Sequence, residues 1–206
     1  MTDDIQAIRD DIAYLKALAQ GGQDSVSEGG MILIAAGGFY GLASLVQWAS
    51  LARVSPVTPA MANWAWLAAL VLFFTTLFVA KRRQARSGQR SQASGMAWTG
   101  IGWGLFVIFC AIALATWRTR TDLLIRFSPA IVLTLYGAAW MVAAMVTRKT
   151  WLWLTAAGSF VGALISAWLI KDTAQYLFYA FALFLLAFLP GVVFVLAARR
   201  SAVGVE

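Results

Sequence analysis

The sequence predicts an all-α fold: a polytopic membrane protein with a six-helix transmembrane bundle, preceded by a short cytoplasmic amphipathic helix. Three observations predict it. Of the 206 residues, 61% are hydrophobic and only 12% are charged, whereas soluble domains are about half apolar and about a quarter charged. The mean hydropathy is +0.76. The apolar residues gather in six blocks, each close to the roughly 20 residues that a helix needs to cross a bilayer. None of the blocks contains Asp, Glu, Lys or Arg. None alternates polar and apolar residues, which excludes a closed membrane barrel.

The first element is soluble. In residues 1–22, Ile5, Ile8, Ile12, Leu15 and Ala19 are spaced 3, 4, 3 and 4 apart. That spacing places them on one narrow helical seam. Thr2 caps the start, and Asp3 and Asp4 suit the positive end of the helix dipole. Gly21 and Gly22 end the helix, and residues 23–30 read as a flexible linker. Isolated helices of this length are marginal in water, so the seam needs a partner. Asp3, Asp4, Asp10 and Asp11 outnumber Arg9 and Lys16, which disfavours an anionic lipid surface. Three partners remain: the same helix of a second copy, a separate cytoplasmic protein, or the protein's own bundle near Lys81, Arg82 and Arg83. The early residues lack the basic start and apolar core of a cleaved signal peptide, so insertion is expected to begin with the first span.

The bundle occupies 31–198, with spans at 31–51, 61–80, 96–116, 127–146, 151–170 and 175–197, and a tail at 199–206. Basic residues set the orientation. One side carries Arg9, Lys16, Lys81, Arg82, Arg83, Arg86, Arg90, Arg148, Lys149, Arg199 and Arg200. The other carries Arg53, Arg118, Arg120, Arg126 and Lys171. The richer side is expected in the cytoplasm, with both termini. The net charge of +7 therefore reflects span ends, and no nucleic-acid partner is expected. Trp48, Trp64, Trp66, Trp98, Trp117, Trp151, Trp153 and Trp168 fall near span edges, as an aromatic belt does.

Small residues recur four apart at Gly37 and Gly41, at Gly100 and Gly104, and at Gly158, Gly162 and Ser166. Such faces let helix backbones approach closely, within the bundle or between copies. Span 6 holds Pro190, a possible hinge, because proline removes a backbone donor and frees a carbonyl. Tyr40-Gly41 in span 1 matches Tyr136-Gly137 in span 4, and Trp64-Ala65-Trp66-Leu67 in span 2 matches Trp151-Leu152-Trp153-Leu154 in span 5. Those pairs would fit a 3+3 inverted repeat, an arrangement found in transporters.

Chemistry is sparse. There is no histidine, and Cys110 is the lone cysteine. That removes histidine relays, Ser-His-Asp triads and most zinc sites. No paired carboxylates occur in the spans and no phosphate-binding glycine loop is present. An enzyme is therefore not expected, and no cofactor or metal is implied. Ionisable residues inside spans usually mark ion or proton pathways. Their absence argues against proton-coupled or charged-substrate transport and leaves a neutral-solute pore or a carbonyl-lined filter. Gln47 is the most notable polar residue in a span, with an interhelical hydrogen bond or an interfacial position as its ordinary role.

The segment Ile8-Arg9-Asp10-Asp11-Ile12-Ala13-Tyr14-Leu15-Lys16-Ala17-Leu18-Ala19, followed by a Gly-rich first span, resembles uncharacterised small multi-span inner-membrane proteins of proteobacteria. The resemblance implies a bacterial inner membrane and carries no known activity. Two functions are expected from these readings. One is a non-enzymatic membrane protein that anchors or regulates a partner, or self-associates, through residues 2–20. The alternative is a small transporter or channel for a neutral or apolar solute. Lipid is a partner in both.

Overall fold

The computed structural model describes residues 29–54, 56–87 and 93–203. The expected helix over 2–20, with its seam of Ile5, Ile8, Ile12, Leu15 and Ala19, lies outside the described residues, as does Arg90. The described chain is helical, with no strand among its residues. Its helices are α1 (Gly29–Leu51), α2 (Pro59–Ser87), α3 (Ala93–Thr119), α4 (Leu123–Thr147), α5 (Thr150–Trp168), α6 (Ala174–Leu183) and α7 (Leu189–Val203). A π-helical stretch, Phe184–Phe188, joins α6 to α7 and makes one span of them. Six helical segments are thus long and apolar enough to cross a membrane, and the chain is an integral membrane protein.

The six spans do not share the interior equally. Spans 1, 4, 5 and 6 are 44%, 50%, 39% and 33% buried, against 11% for α2 and 6% for α3. The core is therefore a four-span bundle, with Leu133, Trp140, Leu152 and Leu183 fully buried in it. The other two spans lean on its outside. On α2, only a stripe through Ala62, Trp66, Ala69, Phe73 and Ala80 faces inward. Tyr40 of α1 meets that stripe, with ring centroids 6.3 Å from Trp66 and 5.5 Å from Phe73. Gln47 makes the interhelical bond, its Oε1 accepting from Trp66 Nε1 at 3.2 Å.

Glycine decides how closely α1 can approach the sixth span. A Cβ at Gly30 would stand 2.8 Å from the Gly191 carbonyl oxygen, and one at Gly191 would stand 2.7 Å from that of Gly30. A Cβ at Gly37 would meet Phe188 N at 2.5 Å, and one at Gly41 would meet the Phe184 ring at 3.1 Å. At Gly30, Gly37 and Gly191 these are backbone-to-backbone approaches that any side chain would prevent, and at Gly41 the backbone seats a ring. On α5, Gly158 lies under Leu186 and Gly162 faces Leu133 at ordinary contact distance. Gly137 of α4 seats the Phe160 ring, which a Cβ would meet at 2.7 Å.

The α3 glycines depart from the packing expected of them within the bundle. A Cβ at Gly100 or Gly104 would meet nothing within 4 Å. Spacing alone marks a smooth face and does not supply the helix that packs on it. Gly100→Ala and Gly104→Ala are expected to leave the thermal midpoint of the detergent-solubilised protein unchanged or to raise it. Alanine gains up to about 1 kcal/mol of helix propensity over glycine. A drop in midpoint would show that α3 packs through that face.

Helix ends are closed in an unusual way. Arg53, Arg120, Arg148 and Lys171 all have positive φ, between 53° and 73°. Glycine normally takes this left-handed position after a helix, because a Cβ is strained there. Here each is a cation just past a helix C-terminus, where positive charge suits the negative end of the dipole. The Arg120 and Arg148 N–H groups donate to the Thr116 and Ala144 carbonyls at 2.8 and 2.9 Å, closing α3 and α4.

Candidate functional site

Apart from Thr155 and Ser159, which bond within α5, buried polar groups gather in two places. The first lies where α1, α4 and α5 meet the start of α6. Gln175 is fully buried there. Its Nε2 donates to the Arg126 carbonyl at 2.7 Å and to the Ser166 carbonyl at 3.1 Å. The Ser166 carbonyl belongs to the last turn of α5. There the N–H of Ile170 turns to the Ala167 carbonyl and does not continue the α-helical pattern. Gln175 therefore acts as a side-chain cap for α5 and ties it to α4. Ser44 of α1, also fully buried, donates to the Tyr176 carbonyl at 2.8 Å. One polar knot thus joins all four core spans.

Outside the knot, Arg126 Nε donates to Asp122 Oδ2 at 2.7 Å. That hydrogen bond holds the exposed Asp122 carboxyl below the usual carboxylate range, with the charge of Arg126 and, less strongly, that of Lys171 acting the same way. Pro129 in α4 has no N–H for the Ile125 carbonyl, and Ser128 Oγ donates to it at 2.7 Å instead.

The second place is the π-helical stretch. Pro190 is buried at its end. In an α-helix the Leu186 carbonyl would accept from residue 190, which as proline has no N–H. Trp140 of α4 supplies the donor, Nε1 to the Leu186 carbonyl oxygen at 2.9 Å. The Trp140 ring also stacks on Phe194 of α7, with centroids 6.1 Å apart and planes at 27°. Phe194 in turn contacts Trp151, and Lys149 Nζ lies 5.7 Å above its ring. Pro190, read from sequence as a possible hinge, is braced on both sides by α1 and α4.

The remaining candidates are dispersed. Lys81 and Arg82 sit exposed near the end of α2, where the Arg82 guanidinium lies 4.2 Å above the Phe78 ring. Arg83 and Arg86 continue that helix. Tyr136 and Tyr179 belong to the core, and Tyr40 packs against it. A groove of about 420 Å³ lies outside the bundle in the α1–α2 loop, lined by Ser50, Arg53, Val54, Pro56, Val57, Thr58 and Pro59. Among the described residues no group of three His, Cys, Asp or Glu side chains is placed to hold a metal ion. Gln175 and Ser44 were not singled out from sequence. Gln175 stood at the expected edge of a span, where a polar residue ordinarily faces water, so only the fold reveals its burial.

No family model, no curated protein and no solved structure matches this chain.

Proposed function

We propose that the protein is a non-enzymatic anchor in the bacterial inner membrane, with both termini in the cytoplasm. Its bundle holds the acidic helix expected over residues 2–20 at the membrane face, where the seam engages a cytoplasmic partner or a second copy. One observation carries this reading. Most of the buried polar side chains of the core are turned onto backbone carbonyls, the Ser166 hydroxyl excepted: Ser44 onto Tyr176, Ser159 onto Thr155, Trp140 onto Leu186, and Gln175 onto Arg126 and Ser166. Groups committed to capping backbone hold helices together and leave little to handle a substrate.

Cations on both sides have local contacts. On the side with fewer basic residues, Arg53, Arg120 and Lys171 take the left-handed position after helices and Arg126 pairs with Asp122. On the other, Arg148 takes the same position, and Arg82 and Lys149 lie over the rings of Phe78 and Phe194. The orientation rests on the count of basic residues in the sequence, eleven against five.

The test is co-purification in mild detergent with and without residues 1–22, and with Ile8→Asp and Ile12→Asp in the full chain. A partner or a dimer lost in both variants, with the bundle still folded, is the expected result. Identical association in all three proteins would refute the reading.

A transport reading for a neutral solute draws on the π-helical stretch beside Pro190, because discontinuous helices recur at transporter sites. Its 3+3 repeat pairs spans of unequal placement, since α2 is 11% buried and α5 39%. Proteoliposomes that swell no faster in neutral solutes than empty liposomes would dismiss it.

A further inference from the structure

The apolar span of α2 ends at Arg82, and the helix runs on to Ser87. Its outward side is a continuous apolar row. Leu70, Phe74 and Phe78, four residues apart, are all exposed, from 43% to 55%. The same helix carries that row on to Arg82, which is exposed, and then to the position of Arg86. The adjacent row runs through the exposed Val79 to the position of Arg83. Residues four apart share a helix face. The side of α2 that meets acyl chains thus leads directly to three arginines within about 6 Å of helix rise. They stand where the helix leaves the apolar layer, at headgroup level. The Arg82 guanidinium lies 4.2 Å above the Phe78 ring, a contact that holds its charge against the lipid-facing row.

Among the described residues no carboxylate neutralises this end of α2. The only acidic side chains among them are Asp122 and Asp172. Asp122 bonds Arg126 before α4, and Asp172 Oδ1 accepts from the Ala174 N–H before α6. Both stand at the opposite ends of the spans from Arg82. We infer that Arg82, Arg83 and Arg86 form a binding site for the headgroup of an anionic phospholipid, whose acyl chains lie along the exposed row of α2.

The chemistry of the surface selects this occupant. Orientation by basic residues requires positive charge in this loop, but it fixes neither the residue type nor the helix face. Arginine presents a planar fork of N–H donors that takes two phosphate oxygens at once, whereas lysine is a point charge. A phosphodiester carrying acyl chains matches both halves of the surface, the cations and the apolar row beneath them. The rival occupant is the acidic helix expected over residues 2–20, with Asp3, Asp4, Asp10 and Asp11. It would meet the cations and leave the apolar row to other lipid, and so uses only half of the surface.

The experiment is native mass spectrometry of the full-length protein in detergent, titrated with phosphatidylglycerol or with phosphatidylcholine of the same acyl chains. Phosphatidylglycerol is expected to bind more tightly. Arg82→Gln, Arg83→Gln and Arg86→Gln should each weaken it by about fivefold, the contribution of one cation at a membrane surface, and leave phosphatidylcholine binding unchanged. Arg199→Gln with Arg200→Gln, a pair expected on the same side of the membrane, should keep the preference. Thermal midpoints without added lipid check that each variant is folded, and the single substitutions carry the test if the triple variant is not. Equal binding of the two lipids by the native protein, or a preference that survives all three substitutions, overturns the inference. So does a preference that emerges only with Asp3→Asn, Asp4→Asn, Asp10→Asn and Asp11→Asn, because the acidic helix is then the occupant.

Discussion

Replacing Gly37 with alanine is expected to destabilise the bundle by about 3 kcal/mol, the upper end of the cost of overpacking a filled interior. The added methyl carbon would stand 2.5 Å from Phe188 N, 2.9 Å from the Leu183 carbonyl oxygen and 2.9 Å from Phe188 Cα. All three are backbone atoms, so no side chain can rotate away. They also belong to the π-helical stretch and its preceding residue, whose path is held between α1 on one side and Trp140 on the other. Relief requires α1 to move off the sixth span as a unit, and the contacts of Gly30 with Gly191 and of Gly41 with Phe184 would open with it.

The neighbouring residue supplies the control. A Cβ at Gly38 would meet only the Phe188 ring, at 3.6 Å, which is ordinary contact. Gly38→Ala should therefore be neutral, or stabilising by up to about 1 kcal/mol through helix propensity. Two adjacent glycines in the same turn thus carry opposite expected signs. Thermal or denaturant unfolding of the detergent-solubilised variants measures both. Equal small effects at the two positions would mean that α1 does not lie where the structure puts it.

The sequence made the spans legible because the bilayer imposes their length and composition on any chain. The stretch expected at 127–146 lies inside Leu123–Thr147, and that expected at 31–51 inside Gly29–Leu51. The arrangement of the spans was not legible. In water, a helix shows its buried face by contrast with a polar one. In lipid both faces are apolar, so α3, 6% buried, reads like α4, 50% buried. Gly100 and Gly104 illustrate the same limit, since they share the spacing of Gly37 and Gly41 and meet no neighbour. In the sequence Arg53, Arg120 and Lys171 are only cations on the poorer side, whereas their left-handed backbone gives each a local reason to be there. Pro190 was visible, but its donor was not. Trp140 lies 46 residues from Leu186 in sequence, and nothing short of the fold brings them together.

That pairing sets the second large effect. Trp140→Phe keeps an aromatic ring against Phe194 and removes the indole N–H that the Leu186 carbonyl accepts. Proline at 190 cannot supply the α-helical donor in its place, so the carbonyl loses a partner in a medium without water. The expected cost is about 1–3 kcal/mol. Trp140→Ala should cost about 3–5 kcal/mol, because the fully buried ring is lost as well. The origin of the smaller effect is separable through the proline. Pro190→Ala gives residue 190 an N–H of its own, able to serve the same carbonyl. In that background Trp140→Phe should lose most of its cost, so the two substitutions should be strongly non-additive when their unfolding midpoints are compared in a double-mutant cycle. Simple additivity would mean that the hydrogen bond contributes little and that Trp140 acts through packing alone. Non-additivity would show that the bend of the sixth span is held from α4, by a donor that stands in for the one proline lacks.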